Sequence, residues 1–222
     1  KEFRRLQPKA QVAGYSPDDM ASSHNQSRYF LDGLRLHDAY FTTKTYGVKE
    51  LRALGVPLVY FSGNAYDPET HHPIVLDAQD RERFETEVGF VGAFEEDRAD
   101  HILHLERNGI PVRVLGEQRW VGYCASHPEM SKPRASVWGL DYTKALCGAE
   151  INLCFLRKIN RDLQTQRSVE IPACRRFMLA ERTEEHRALF EEGREAEFFS
   201  SKGELLEKVI FYLANPDARE RI

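Results

Sequence analysis

The chain has 222 residues, 41% hydrophobic and 30% charged, with a formal net charge of −4 and an isoelectric point near 6.1; this is the composition of a soluble globular protein with room for one large domain or two small ones. The balance excludes a general nucleic-acid binder, whose binding face would be basic, and no apolar run approaches the roughly 18 residues that span a bilayer. Four scattered cysteines without a CxxC pair, eight histidines off ligand spacing and no visible signal peptide (the chain starts at Lys1 without Met) predict reduced thiols, a cytoplasmic setting and no metal site.

The first 80 residues alternate short apolar runs with helix-compatible ones. Gln11–Tyr15 reads as a strand ending in the turn-rich SPDDM, Arg28–Leu36 as a helix and Ala39–Thr43 as a second strand. Val48–Leu54 reads as a helix stopped by Gly55, and Leu58–Ser62 as a third strand opened by Pro57. Strands separated by helices predict a parallel sheet covered on its faces, and three strands make a thin, incomplete one. Asn64–Asp80, rich in Pro, Asp and His, reads as a linker, with His71-His72 in a surface loop.

The rhythm restarts with a strand at Val88–Val91, Gly92, a helix over Arg98–Arg107 stopped by Asn108-Gly109, and a strand at Pro111–Leu115. Gly116–Ser136 shows no periodicity and reads as irregular. Asp141–Cys147 predicts a helix, Ile151–Leu156 a buried strand, Phe177–Ala180 a strand, Thr183–Phe190 a helix and Glu197–Phe199 a short strand. Ser201–Leu213 is the clearest amphipathic helix, with another starting after Pro216. The fold class is therefore α/β with two Rossmann-like lobes, residues 1–80 and 81–222. A ligand cleft is expected at the carboxyl ends of the strands.

The basic stretch Arg157–Arg176 carries six cations against Asp162 and Glu170. Strand, basic loop and helix start together suit a phosphate, with a solvated basic loop as the alternative. A helix beginning at Thr165 would present the amides of Gln166, Arg167 and Ser168 to a diphosphate, with Arg167 or Lys158 as counter-charges. Glu170, further along, would reach a ribose hydroxyl pair, while Pro172 fits a helix poorly. Gly92 is a candidate for close approach of a phosphate or acceptor, or an ordinary turn. Arg98 is a candidate cleft residue, or a helix-surface arginine. Asp18-Asp19 offers a general base for an acceptor hydroxyl, or a turn or cap, and His24 is an alternative base.

The run NRDLQTQRSVEIPACRRFMLAERTEEHRALFEEG, with EAEFFSSKGELLEKVIFYLANPDARERI after it, resembles the C-terminal lobe of CgeB-like glycosyltransferases, within the group-1 enzymes of two-lobed GT-B fold. VGFVGAFEEDRADHILHLERNGIPVRVLG resembles the opening of that lobe, and SPDDM, FTTKTYGVKEL and AYDPETHHP the end of an N-terminal lobe that is incomplete here. The resemblance implies a nucleoside diphosphate sugar donor held mainly by the C-terminal lobe, no cofactor and no metal. It also implies two acidic residues with seven positions between them, a spacing that Asp162 and Glu170 have, with Asp in place of the usual Glu. Asn160 and Lys158 fall in the same donor-binding stretch. Arg175-Arg176 stands where the family has a small residue or Gly. The expected function is sugar transfer to an unidentified acceptor (a glycan, a protein or a small molecule). Non-catalytic nucleotide-sugar binding on the same fold is the alternative, and a generic two-lobed binding protein the third.

Overall fold

The computed structural model describes residues 2–222. The chain divides into two units, residues 1–64 with 157–163, and residues 65–156 with 164–222. Residues 65–80, read above as the end of the first lobe, thus belong with the second. The basic stretch is split between the two.

In the first unit, helix α1 (Glu2–Leu6) precedes three parallel strands in the order β1-β2-β3, β1 (Ala13–Ser16), β2 (Ala39–Thr42) and β3 (Leu58–Phe61). Helices α2 (Arg28–Leu34) and α3 (Gly47–Ala53) make the crossovers. Ser27 caps α2 by accepting the Phe30 N–H at 3.1 Å. Leu34, Tyr40, Leu51, Val56 and Val59 form the core between strands and helices. The three strands, α2 and α3 match the sequence expectation to within two residues at each end, while α1 was not expected.

The second unit opens with α4 (Ala78–Phe84), which the sequence reading left without an element. Asp77 starts it by accepting the Asp80 N–H at 2.8 Å, a local signal inside a Pro- and His-rich stretch that otherwise lacks period. Then follow β4 (Thr86–Val91), α5 (Glu96–Arg107), β5 (Val112–Gly116), α6 (Gln118–Ser126), β6 (Arg134–Ala135), α7 (Leu140–Gly148) and β7 (Ala149–Cys154). The unit closes with α8 (Arg167–Ala173), β8 (Met178–Glu181), α9 (Glu184–Leu189), β9 (Glu197–Phe199), α10 (Lys202–Ala214) and α11 (Pro216–Glu220).

Helix α6 and strand β6 correct the irregular reading of Gly116–Ser136. The helix is held by one buried residue: Trp120 packs against Phe90 and Phe94 and donates from Nε1 to the Gly92 carbonyl at 3.0 Å. Tertiary packing here overrides weak local propensity.

All six strands are parallel, in the order β6-β5-β4-β7-β8-β9. Counted along the unit this is 3-2-1-4-5-6, the doubly wound order whose direction of winding reverses between β4 and β7. Side chains alternate between two cores. Val88, Phe90, Ile151, Leu153, Leu179 and Phe199 join α5, α6 and α10 on one face. Val91, Cys154, Met178, Ala180 and Phe198 join α4, α7 and α8 on the other. Burial on both faces is why these strands read as continuous apolar runs.

Candidate functional site

The second unit carries a pocket of about 530 Å³ at the carboxyl ends of β4, β5 and β6, closed by the first turn of α8. It lies where the strand order reverses, the position at which open parallel sheets bind ligands. Five residues singled out from the sequence line it: Gly92, Thr165, Gln166, Arg167 and Glu170.

Gly92 follows β4 directly. Its N–H donates to the Leu115 carbonyl at 3.1 Å, and its own carbonyl accepts from Trp120. A Cβ here would stand 2.7 Å from Cζ of Phe90 and 3.3 Å from Nη1 of Arg167, so only glycine fits without displacement. Arg167 lies over the Phe90 ring, 5.6 Å from its centroid, and donates to the Phe155 carbonyl at 3.3 Å. Its Nε is buried with no hydrogen-bond partner, an arrangement that holds a cation at the pocket while leaving it incompletely satisfied.

Thr165 corrects the expected cap. Helix α8 begins at Arg167, the capping position is Gln166, and no side chain caps it. Instead the Thr165 N–H donates to Ser168 Oγ at 3.0 Å and the Thr165 carbonyl accepts from the Ser168 N–H at 3.0 Å. Ser168 in turn bonds Nε2 of the buried His186 at 2.7 Å, whose Nδ1 lies 2.6 Å from the Glu181 carbonyl. A carbonyl only accepts, so His186 carries its proton on Nδ1 and accepts a hydrogen bond from the Ser168 hydroxyl at Nε2. Burial pushes the His186 pKa down, keeping the neutral ring this network needs. Pro172 sits inside α8, one residue before its end and beyond its first turn, and so forgoes a helix hydrogen bond.

Glu170 lies in the first turn of α8, buried, with its carboxylate in the pocket. Its Oε2 accepts the Tyr142 hydroxyl at 2.5 Å, and its Oε1 faces His71 Nε2 at 3.6 Å. Desolvation, then the carboxylate, hold the Tyr142 phenol well above its ordinary pKa, so it serves as a donor. Neither partner has a local signature in the sequence. Tyr142 was hidden in a helix, and His71, placed in a surface loop, has a side chain only 13% exposed and packs edge-on to Tyr142. Trp138, also on the pocket lining, is 77% exposed.

The remaining candidates fall elsewhere. Arg98 is neither a cleft residue nor a surface one: it is buried, donating to the carbonyls of Ala93 at 3.0 Å and Leu156 at 3.2 Å, and so ties the ends of β4 and β7. Lys158, Asn160 and Asp162 belong to the first unit, not to the Glu170 pocket. Asp162 pairs with Lys44 at 2.5 Å, both side chains under 10% exposed. Asn160, on a 3-10 turn that Lys158 opens, donates to Asp18 at 2.7 Å and accepts from Asn25 at 3.0 Å. Asp19 is buried against Arg161 at 2.7 Å, which corrects its reading as an available base. His24 is exposed on its own 3-10 turn, 2.9 Å from Ser22 Oγ. Among the described residues no group of three His, Cys, Asp or Glu side chains is placed to hold a metal, and no helix is long and apolar enough to cross a membrane.

A glycosyl transferase-like family profile matches residues 98–222, more than half of the chain. The chain belongs to that family. Its fold is of the GT-B glycosyltransferase type, mixed α/β with parallel Rossmann-like sheets. HepE of Anabaena, solved in complex with UDP-glucose, superposes with a TM-score of 0.70 at 12% identity, over 99% of this chain and 67% of that one. Sucrose-phosphate synthase from Thermosynechococcus elongatus gives 0.65 at 13% identity, over 98% and 62%. The C-terminal domain of LpcC, a group 1 family glycosyl transferase of Francisella tularensis, gives 0.52 at 8% identity, over 71% and 92%. At such identities the likeness is one of fold, and the chain spans about two thirds of the length of the first two. No curated protein matches it in sequence.

Proposed function

We propose that this chain is part of a glycosyltransferase that moves a sugar from a nucleoside diphosphate donor to an acceptor hydroxyl, and that the donor nucleotide binds in the Glu170 pocket. The observation that carries the reading is the convergence of Glu170, Arg167 and Gly92 on one pocket at the switch point of a doubly wound sheet. Glu170 accepts hydroxyl protons of the ribose. Gly92 gives the diphosphate close access to backbone, and Arg167 meets the charge that grows on it as the sugar departs, where a fixed cation in a sheltered site lowers the barrier most. In this reading transfer needs no metal ion, the subtype is CgeB-like, on the motifs quoted above, and the enzyme works in the cytoplasm. The UDP-glucose and UDP bound by HepE support a uridine donor as the first to try.

A thermal-shift screen of UDP, GDP, ADP and TDP sugars tests the reading, since a ligand at a hundred times its Kd stabilises by about 2.7 kcal/mol. At least one raises the melting temperature of the wild type, and Glu170→Ala loses the shift. Unchanged binding of every nucleotide by Glu170→Ala would sink the ribose assignment. Binding without transfer or donor hydrolysis would favour a nucleotide-sugar-binding protein, a reading supported by the pairing of Asp162 with Lys44 and of Asp19 with Arg161.

A further inference from the structure

A carboxylate that grips a ribose diol alone uses both oxygens, and Glu170 has one already engaged. Tyr142 takes one of the two acceptor sites of Oε2 at 2.5 Å, which leaves Oε1 the less occupied oxygen. Opposite Oε1, at 3.6 Å, stands Nε2 of His71, too far for a good hydrogen bond between the two.

The tautomer of the neutral ring is set by its loop. The Asp67 N–H, which can only donate, lies 3.1 Å from His71 Nδ1, so Nδ1 is an acceptor and the neutral ring carries its proton on Nε2. The loop is itself braced. Asp67 accepts from the Glu69 N–H at 3.0 Å, from the Thr70 hydroxyl at 2.7 Å and, through its carbonyl, from the His71 N–H at 2.7 Å. Both His71 and Glu170 line the pocket. A fixed donor therefore faces a fixed acceptor across 3.6 Å. One hydroxyl oxygen about 2.8 Å from each would sit to one side of the pair, at the apex of a triangle, accepting from Nε2–H while donating to Oε1.

We infer that His71 is a specificity-determining residue of the nucleotide site, bracketing a single ribose hydroxyl together with Glu170. The inference rests on the donor reading given above. It goes further in requiring that His71 touch the ligand, and that one hydroxyl of the diol matter more than the other.

The test is a cycle between protein and ligand, read by calorimetry. The parent ligand is whichever of UDP, GDP and ADP binds the wild type, and it is compared with its 2′-deoxy and 3′-deoxy forms. His71→Phe removes the N–H and keeps a ring against Tyr142. One deoxy form is expected to bind the wild type about tenfold more weakly than the parent, and His71→Phe to bind the parent about tenfold more weakly, as for a lost hydrogen bond near a charge. The two losses are not additive: His71→Phe and wild type bind that deoxy form alike, and His71→Gln, which returns an N–H near the position of Nε2, restores part of the preference. Additive losses, or equal binding of the parent and both deoxy forms by the wild type, overturn the inference while leaving nucleotide binding in place. Failure of all three parents to bind overturns it, and failure of TDP as well overturns the donor reading with it. Should His71→Phe melt early, His71→Ala closes the same cycle.

Discussion

Arg167 and Gly92 constrain one another at the scale of single residues. The guanidinium is held over Phe90, and the space it occupies exists because residue 92 has no side chain. Gly92→Ala brings a methyl to 2.7 Å from Phe90, deep in the core, where the ring has little room to yield. The expected cost is about 1–3 kcal/mol of stability, as for other overpacked sites, with weakened nucleotide binding because Arg167 must also shift. Denaturant unfolding and calorimetry on the one variant measure both, and a neutral effect on each would show that the turn has slack. Gly92, Arg167 and Glu170 were legible in the sequence, since glycine after a strand and charges at a helix start have local signatures. Their partners were not. Tyr142 and His71 meet Glu170 from 28 and 99 positions away, and no periodicity records which side chains a sheet brings together.

Helix α8, only seven residues long, is fixed at both ends by devices of different kinds. At its C-terminus the Arg176 N–H donates to the Ile171 carbonyl at 3.3 Å and the Arg175 N–H to the Pro172 carbonyl at 2.8 Å, the paired bonds of a Schellman turn. Arg175 takes the left-handed position, φ 52°, that glycine adopts freely. It stands where the sequence resemblance places a small residue or Gly, and it is absent from the pocket lining. Its oddity is therefore conformational, and Arg175→Gly is expected to stabilise by about 0.5–1 kcal/mol, raising Tm by about 1–4 °C. At the N-terminus the turn hangs on neutral His186. Its folded pKa lies below the ordinary 6.5 because of burial. The unfolded chain therefore takes up the proton first, and the stabilisation, complete above that value, is lost as pH falls through it. The advantage in Tm of wild type over His186→Gln should shrink between pH 7.5 and 5.5; a constant difference would remove His186 from the acid response. The sequence placed the helices with strong caps and stripes well, α10 above all, and failed at α4 and α6. One lies in a stretch dominated by turn residues, and the other owes its helix to Trp120.

Across the whole molecule the chain path and the site divide differently. The stretch that looked like one phosphate loop in sequence is two pieces in space, 157–163 packing with the first unit and 164–176 with the second. Charge density carried no sign of the division, because it depends on partners far away in the chain: Lys44 for Asp162, Asp19 and Glu50 for Arg161, and Tyr46, whose hydroxyl donates to the Asn160 carbonyl at 2.7 Å. The cations of 157–163 are thus not needed to build the Glu170 pocket, every lining residue of which belongs to the second unit. That unit also has its own two-faced core and complete six-stranded sheet. A fragment of residues 65–222, with 157–163 replaced by a Gly/Ser linker of equal length, should therefore fold cooperatively. Removing Lys44 while keeping Asp162 would leave a carboxylate without its partner, so replacing the whole segment is the cleaner experiment. The fragment is expected to bind the nucleoside diphosphate that the full chain binds, within about threefold in Kd, a difference of about 0.65 kcal/mol. A well-folded fragment that has lost nucleotide binding would mean that residues of the first unit hold the nucleotide, and the Glu170 pocket would then not suffice as the donor site.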